Sequence, residues 1–302
     1  MVIDSKRFRE VLRAKGLCRS DLCRLVNVSS RTIAKIAKGE DIRESVIAKI
    51  ADALSIPAED IVRSNAILRR LREEMSGRAS GGLYHETQIR LTYNSNHIEG
   101  SRLTEDQTRY IFETKTLGQL PPDIAVDDVT ETNNHFRCVD YIIKDAEEPL
   151  TEDLIKHLHF LLKSGTNHAD LYGAGEYKRF ANTVGGIETT PPESVSEKMA
   201  SLLSDYQAKE KCDLEDIVEF HYRFECIHPF QDGNGRIGRL LMFKECLRHG
   251  CLPFYIDDKY KFEYYNGLRR WRSEHGYLLE TCRMGQDVYK RLLDYFRVPY
   301  EE

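Results

Sequence analysis

Apolar residues recur at every third or fourth position along most of this chain, which is the spacing of one buried face of an α-helix. The pattern predicts short helices near the N-terminus and longer ones after them. They are expected at residues 4–15, 19–26, 30–38, 44–54, 57–63, 83–98, 104–113, 127–144, 151–163, 194–208, 213–226, 235–249, 259–273 and 285–296. Residues 177–192 differ, because two glycines there separate short β-prone runs and predict a hairpin. The expected fold is all-α with one hairpin.

Polar and glycine residues between these helices indicate where the chain turns. Thr104 with Gln107, and Ser194 with Glu197, have the spacing of capping boxes at helix starts. Residues 63–75 are expected to form a connecting helix. Residues 76–82 are small and flexible, so they predict a hinge. The predicted organisation is an N-terminal domain at 1–66, a linker at 67–82 and a C-terminal domain at 83–302.

Composition and charge fit a globular protein, because 41% of the 302 residues are apolar and 31% are charged. No apolar run is long enough to span a bilayer and no leader opens the chain, so a cytoplasmic protein without membrane contact is expected. The net charge of −5 hides a basic N-terminal part, since residues 1–50 carry twelve Lys and Arg against six Asp and Glu. This asymmetry suggests that only the first part meets nucleic acid. The eight cysteines lack zinc or redox spacing and are expected to be reduced.

Residues 20–39 have the pattern of a helix, a tight turn and a second helix. The inner face is expected to hold Leu22, Leu25, Val28, Ile33 and Ile36. Ser29 or Ser30 can cap the second helix, which leaves Ser30, Arg31 and Lys35 near its exposed start.

This segment resembles the Cro/repressor helix-turn-helix family, whose second helix enters the DNA major groove. The resemblance implies a five-helix bundle at 1–66 that binds DNA through Ser30, Arg31 and Lys35. Such modules normally bind as dimers, so a homodimer is expected. A helical protein-docking domain is the alternative.

The glycine-rich string at 228–239, HPFQDGNGRIGR, predicts an anion-binding turn. Pro229 ends one helix, and Gly233 and Gly235 free the backbone to turn before the next helix begins. Successive N–H groups in such a turn point into one concavity backed by a helix N-terminus, which suits a phosphate chain. Arg236 and Arg239 share one face of the new helix and can bind further phosphates.

Two residues of the same string carry further chemistry. Asp232 could hold Mg²⁺, which prefers oxygen ligands and bridges phosphates. His228 can accept a proton near neutral pH.

The string is similar to the signature of the Fic family, H-P-F-x-D/E-G-N-G-R-x-x-R, at every specified position. The resemblance implies a helical fold with a β-hairpin flap over the site, and transfer of AMP from Mg-ATP to a Tyr, Ser or Thr hydroxyl of a protein. It implies His228 as general base and Asp232 as Mg²⁺ ligand. The nucleotide-binding run would be Asp232, Gly233, Asn234, Gly235, Arg236, Ile237, Gly238 and Arg239. Relatives that transfer phosphate carry Lys at position 235, so Gly235 favours AMP.

Residues outside the signature extend the resemblance less specifically. Val184, Gly185, Gly186 and Ile187 fall where the family's flap, here 177–192, clamps the target and covers the nucleotide; an ordinary hairpin tip is the alternative. Tyr264 and Tyr265 resemble an aromatic pair near the nucleotide, with core packing as the alternative. Arg272 stands where some relatives place Asn against adenine, so the adenine contact stays open. His157 and His159 lie in a Leu-rich helix and are expected to pack or to face solvent, and a structural hydrogen bond is expected for His221.

Residues 95–100, SNHIEG, resemble the Fic inhibitory motif with Ser95 and Glu99 at its specified positions, at the end of a helix at 83–100. The resemblance implies that Glu99 pairs with Arg239 and denies it to the γ-phosphate. A surface Glu near a helix end is the alternative. In some relatives the same Glu positions a water that removes AMP again, which leaves a reverse activity open.

Three functions are thus weighed. The first is a self-restrained AMP transferase whose target is another protein or itself. The second is a transcription regulator that uses the nucleotide pocket only as a sensor. The third is a transferase of the same fold that moves UMP or phosphate. Intact His228 and Asp232 favour the first, because a sensor needs neither.

Overall fold

The computed structural model describes residues 3, 5–38, 40, 42–58, 61, 65–118 and 123–300, except the side chains of residues 6 and 7. It divides into two compact units, Met1–Asn65 and Ala66–Glu302. Within the described ranges the secondary structure is helical apart from one hairpin, so the predicted all-α class is confirmed. No described helix combines the length and the apolar character needed to cross a bilayer.

The first unit packs four described helices around a small apolar core. They are α1 (Ser5–Ala14), α2 (Arg19–Val26), α3 (Ser30–Lys38) and α4 (Glu44–Leu54). Asn27 ends α2 in the left-handed conformation, and the Ser29 hydroxyl accepts the N–H of Thr32 at 3.1 Å to start α3. Leu25 is 57% exposed and Val26 is buried in its place, so the predicted inner face is wrong at Leu25. The helix predicted at 57–63 lies mostly outside the described residues.

The second unit contains the longer helices and the hairpin. Its helices are α5 (Ala66–Gly77), α6 (Leu83–Ile98), α7 (Glu105–Thr114), α8 (Val126–Lys144), α9 (Glu152–Lys163), α10 (Asn167–Tyr172), α11 (Pro192–Gln207), α12 (Leu214–Ile227), α13 (Asn234–His249), α14 (Lys261–Arg270) and α15 (His275–Tyr295). Strands β1 (Thr183–Val184) and β2 (Ile187–Glu188) pair antiparallel, with Thr183 opposite Glu188. Gly185 and Gly186 both have positive φ in the turn, as the tightest hairpins require.

Of the two predicted capping boxes, one is present in the structure and the other is not. Thr104 and Gln107 form the predicted capping box at the start of α7, with bonds of 3.2 and 2.9 Å. The box predicted at Ser194 is wrong, because α11 already begins at Pro192 and Ser194 lies inside its first turn. Proline is favoured at that position since its missing N–H would have no helical partner.

The first part of the predicted linker at 67–82 is helical in the structure, in agreement with the connecting helix expected at 63–75. Residues 66–77 form α5, whose Ile67, Leu68 and Leu71 are buried in the core of the second unit. The turn after it is closed by Glu74, whose carboxylate accepts the N–H of Tyr84 at 2.8 Å at the start of α6. Residues 78–82 therefore form a short turn between α5 and α6, two helices of the same compact unit.

Helix α13 occupies the middle of the second unit. Its residues from Asn234 to Leu247 are buried apart from Gly235, which is half-buried, and it packs against α6, α8, α9 and α12. Because a helix that is buried on all sides is apolar around most of its circumference, the charged residues it carries must find partners inside the protein. Arg236 and Arg239 are two such residues.

Candidate active site

The site begins where α12 ends and the chain turns into α13. His228 takes the left-handed conformation (φ 51°, ψ 63°) at this end, and its N–H donates to the carbonyl oxygen of Phe224 at 2.9 Å. A histidine in this region is strained by about 1 kcal/mol. Gly233 (φ 82°) makes the second left-handed bend just before α13. The two bends bring the His228 side chain and the N-terminus of α13 to the two ends of one short loop.

Asn234 holds this loop in shape. Its side-chain oxygen accepts the N–H of Phe230 at 2.8 Å, and its amide donates back to the Phe230 carbonyl at 2.9 Å. Asn234 is itself buried, so its side chain acts as a clamp on the turn and leaves only its backbone for a ligand. Ile237, the fourth residue of α13, is likewise buried in the core.

Asp232 lies in an ion cluster that the sequence did not reveal. Its Oδ2 is 2.5 Å from Lys163 Nζ and 3.6 Å from Arg236 Nη2. Glu131 from α8 bonds both Lys163 and Arg236, so two cations and two carboxylates alternate. Burial alone would raise the pKa of Asp232, but the charges of Arg236 and Lys163 lower it well below its usual range. The carboxylate is therefore ionised at neutral pH.

His159 supports the main chain of the same residue. Its Nδ1 accepts the N–H of Gly175 at 2.8 Å, which leaves the proton on Nε2 to donate to the carbonyl oxygen of Asp232 at 3.1 Å. The imidazole also stacks on Phe230, with ring centroids 3.9 Å apart. Burial lowers the pKa of His159 to about 3, so the ring is neutral. The predicted packing role of His159 is confirmed, with a function as support for the turn.

Arg239 is bound to the end of α6. Its Nη2 is 2.8 Å from Glu99 Oε1 and donates to the Ser95 carbonyl at 2.8 Å, while its Nε donates to the Ser95 hydroxyl at 3.1 Å. The Glu99 carboxylate lies directly against Gly235, in the space that any side chain at 235 would need. The structure thus brings together the three residues that the inhibitory motif predicts, at the first turn of α13.

A largely buried carboxylate lies close to His228. Glu225 lies three residues earlier on α12, with Oε2 3.8 Å from His228 Nδ1, which is an ion-pair rather than a hydrogen-bond distance. Burial by itself raises the pKa of Glu225, but the neighbouring His228, His221 and Arg239 lower it overall. A carboxylate in this position can orient the imidazole and stabilise its protonated form.

The tyrosine pair divides between two environments. Tyr264 is 1% exposed, and its hydroxyl is 2.7 Å from His221 Nε2, which confirms the structural hydrogen bond predicted for that histidine. The Tyr264 ring lies under the guanidinium of Arg239 at 5.7 Å. These contacts favour core packing for Tyr264. Tyr265 is half-buried and reaches the carbonyl of Ile98 at 3.5 Å. Arg272 is at the surface against Tyr222.

The hairpin carries its side chains in solvent. Val184 is 40% exposed and Ile187 is 59% exposed, and Gly185 and Gly186 form the tip between them. The segment before the hairpin is anchored to the site loop, because Lys178 N–H donates to the Pro229 carbonyl at 2.8 Å and Asn182 reaches the Phe230 carbonyl at 3.4 Å. The segment that leads into the hairpin is therefore hydrogen-bonded to the loop that contains Asp232.

Two arginine N–H groups at the site lack an acceptor among the described residues: Arg236 Nε and Arg239 Nη1, both buried. Arg239 Nη1 lies 2.9 Å from where a Cβ of residue 235 would stand, in the first turn of α13. Buried donors are normally satisfied, so an anionic ligand at this turn would supply the missing acceptors.

Sequence reasoning missed Glu131, Lys163 and Glu225. Each is a charged residue on an otherwise apolar helix face, and Lys163 lies one turn after His159 on α9. A charge in such a position is a recognisable signal. The partners of Lys163 cannot be recognised in the same way, because Glu131 and Asp232 are far from Lys163 in the sequence.

In the first unit, Ser30, Arg31 and Lys35 lie on α3 with exposed side chains. Lys35 makes a loose ion pair with Glu40 at 3.8 Å. The two cations are therefore available on one helix, as a phosphate contact requires.

Two family models match this chain. Residues 149–246 match the Fic/DOC family, and residues 7–66 match the Cro/C1-type HTH DNA-binding domain. Curated relatives include "Protein adenylyltransferase Fic" of Nematostella vectensis, 29% identical over 213 residues that make up 69% of this chain and 48% of the relative. The protein of the same name from Drosophila persimilis is 28% identical over 94% of this chain and 52% of the relative. The chain thus spans about half the length of the curated relatives it matches.

Solved structures agree with this fold. A Fic domain containing signaling protein from Bacteroides thetaiotaomicron superposes with a TM-score of 0.57 at 25% identity, over 76% of this chain and 91% of that one. Fic-1 from C. elegans superposes with a TM-score of 0.61 at 19% identity, over 96% of this chain and 92% of that one.

Proposed function

We propose that this chain, in which residues 149–246 match the Fic/DOC family and residues 7–66 match the Cro/C1-type HTH DNA-binding domain, transfers AMP from Mg-ATP to a hydroxyl group of a protein. The observation that carries the proposal is the pair of buried arginine N–H groups without acceptors beside the first turn of α13. They suit the outer phosphates of a nucleotide, and the helix N-terminus adds further donors. Relatives named protein adenylyltransferase support the same chemistry.

Asp232 would hold the Mg²⁺ of the nucleotide. Its ionised carboxylate is 48% exposed and belongs to the ligand type that Mg²⁺ prefers, so the residue fits the ion. The metal when bound would neutralise charge on the phosphates. Arg236 and Arg239 would bind the leaving pyrophosphate, and electrostatic stabilisation of this kind is the largest contribution in many enzymes.

His228 would take the proton of the incoming hydroxyl. Its αL conformation directs the imidazole back toward Glu225, which would stabilise the protonated ring after the transfer. General base catalysis contributes about 10²–10⁴-fold, so His228→Ala should remove most activity. The variant should stay folded, because the glycine-like conformation at 228 does not depend on the ring.

Glu99 would restrain this activity, because its carboxylate holds Arg239 and occupies the space at Gly235 where an outer phosphate would lie. The exposed hairpin at 183–188 would position the target segment. The helix-turn-helix unit would bind DNA through α3, as a homodimer in the cytoplasm, and so place the enzyme on its own gene or near its targets.

Labelled ATP tests the proposal directly. The Glu99→Gly variant is incubated with α-³²P-ATP, Mg²⁺ and a protein extract, and we expect labelled protein bands, the chain itself among them. Glu99→Gly/His228→Ala is the matched blank. Mass spectrometry of the labelled protein should show the mass of AMP; the mass of UMP or phosphate, from their own donors, would identify a different transferase.

A wild-type sample added to the labelled protein reports any reverse removal of AMP. Absence of labelled protein in Glu99→Gly, together with no nucleotide binding by calorimetry, would leave a DNA-binding protein without transferase activity.

A further inference from the structure

Lys163 is the most unusual charged residue near the site. It is 1% exposed at the last turn of α9, and its ammonium group contacts two carboxylates, Glu131 and Asp232. We propose that Lys163 is a built-in counter-ion that neutralises the Asp232 carboxylate in the nucleotide-free protein, so that a divalent cation binds there only weakly until a phosphate chain binds with it. The inference rests on the proposed function for the identity of the cation but not for the ion cluster.

The contacts leave little free charge on Asp232. Oδ1 accepts the N–H of Gly233 at 2.6 Å, and Oδ2 faces both Lys163 at 2.5 Å and Arg236 at 3.6 Å. A divalent cation binds a carboxylate oxygen at about 2.0–2.1 Å. At that distance from Oδ2 it would stand at most about 4.6 Å from the ammonium of Lys163, close enough for strong repulsion in a partly buried site.

Glu131 determines how large this repulsion is. Its carboxylate bonds Lys163 with one oxygen and Arg236 with the other, so it offsets part of both positive charges. Without Glu131, two cations would face one aspartate. With Glu131, the four charges cancel, and the cluster as a whole offers no net attraction to a divalent cation.

A phosphate chain changes this balance. Its oxygens would accept the free N–H of Arg236 Nε and bring several negative charges to the turn. The cation would then bind phosphate oxygens and Asp232 together, and the added anion would offset the ammonium. Binding of the metal is thereby coupled to binding of the nucleotide, and the nucleotide-free site holds a divalent cation only weakly.

The position of Lys163 favours this role over simple packing. It lies one helical turn after His159. Lys163 contacts the side chain of Asp232, and His159 contacts its carbonyl oxygen. Lys244 is the comparison within the same chain: it is also fully buried, but its ammonium donates to the carbonyl groups of Ala146 and Glu148 and to Glu245, away from Asp232. A packing lysine needs no such link to the glycine turn.

The test measures metal binding without nucleotide, by titrating Mn²⁺ into the full chain and following free Mn²⁺ by electron paramagnetic resonance. Mn²⁺ shares the oxygen preference of Mg²⁺. Lys163→Met removes the charge and leaves Glu131 paired with Arg236, so we expect Mn²⁺ to bind at least about tenfold more tightly than in wild type. Lys244→Met is the matched control and should bind Mn²⁺ like wild type. Asp232→Asn added to Lys163→Met should abolish the gain.

Glu131→Gln provides an independent test, in which the Mn²⁺ affinity should change in the opposite direction. It leaves Lys163 and Arg236 uncompensated against Asp232, so Mn²⁺ binding should become several-fold weaker than in wild type. Equal or weaker Mn²⁺ binding in a folded Lys163→Met variant overturns the proposal, and so does tighter binding in Glu131→Gln. A failed AMP-labelling experiment would refute the transferase function while leaving these Mn²⁺ results interpretable, so the two failures are distinguishable.

Discussion

Replacing Glu99 by Gln measures how strongly the end of α6 restrains the site. The substitution keeps the size of the side chain and removes its charge. In the structure, Glu99 Oε1 is 2.8 Å from Arg239 Nη2, with the Glu99 side chain 29% exposed and the guanidinium buried. A charge-assisted hydrogen bond of this kind is worth about 1.5–3 kcal/mol. ATP must displace it before Arg239 can bind an outer phosphate.

The expected change follows from that magnitude. If most of the bond's free energy opposes nucleotide binding, Glu99→Gln should lower the Kd for Mg-ATP by about tenfold to a hundredfold, since about 1.4 kcal/mol corresponds to a factor of ten. Glu99→Gly should have an effect at least as large, because it also clears the space beside Gly235. The labelling rate under subsaturating ATP should rise in parallel.

Isothermal titration calorimetry with Mg-ATP measures the change in affinity, on a His228→Ala background that prevents turnover. Glu147→Gln is the matched control, because it removes the charge from another Arg–Glu pair, with Arg72 at 2.9 Å, that lies outside the site. A Kd for Glu99→Gln within twofold of that of the control would refute the reasoning that Glu99 competes with the nucleotide for Arg239.

Three further predictions concern pH, the tyrosine pair and DNA. Burial lowers the pKa of His135 and His159 to about 3 and that of His221 to about 4, against about 6.5 in unfolded chains. The unfolded state therefore binds more protons below pH 6.5, so the free energy of unfolding should be highest above that pH and fall by up to about 1.4 kcal/mol per pH unit for each histidine, down to about pH 4. Urea unfolding at pH 7, 6 and 5 should show this slope, and His135→Gln should reduce the slope. An unfolding free energy that does not change with pH contradicts the prediction. Tyr264→Phe removes the hydrogen bond to His221 and should lower the free energy of unfolding by about 1–2 kcal/mol while leaving the Kd for ATP unchanged. A weaker ATP affinity without a loss of stability would instead indicate that Tyr264 contacts the nucleotide. Arg31→Ala should weaken DNA binding in fluorescence anisotropy and lower the slope of log K against log salt by about 1, and an unaltered salt slope would argue for a protein-docking role of α3.

Helix positions were largely predictable because they depend on local spacing. The predictions at 19–26, 30–38, 44–54 and 83–98 coincide with α2, α3, α4 and α6. Local signals failed where packing decides the outcome. Residues 76–82 have the composition of a hinge, yet Glu74 draws the two flanking helices together. Helix α10 was not predicted, since six residues carry too little periodicity to be seen.

The site shows the same division. The string at 228–239 predicts the turn, the two arginines and the aspartate, because consecutive residues supply the glycine bends and the helix start that an anion needs. The motif at 95–100 predicts Glu99, but only the packing of α6 on α13 brings it to Arg239. Neither pattern predicts Lys163 or Glu131.

What the sequence by itself determined is the local chemistry: which residues are charged, where the chain can bend, and where a helix N-terminus offers its N–H groups. What only the tertiary structure decided is which charges neutralise one another. Ion pairing depends on distances of a few ångströms between atoms on helices that are far apart along the chain, and those distances arise from how apolar faces pack. The sequence therefore predicts Asp232 as a carboxylate available to a metal ion, whereas the folded structure pairs it with Lys163.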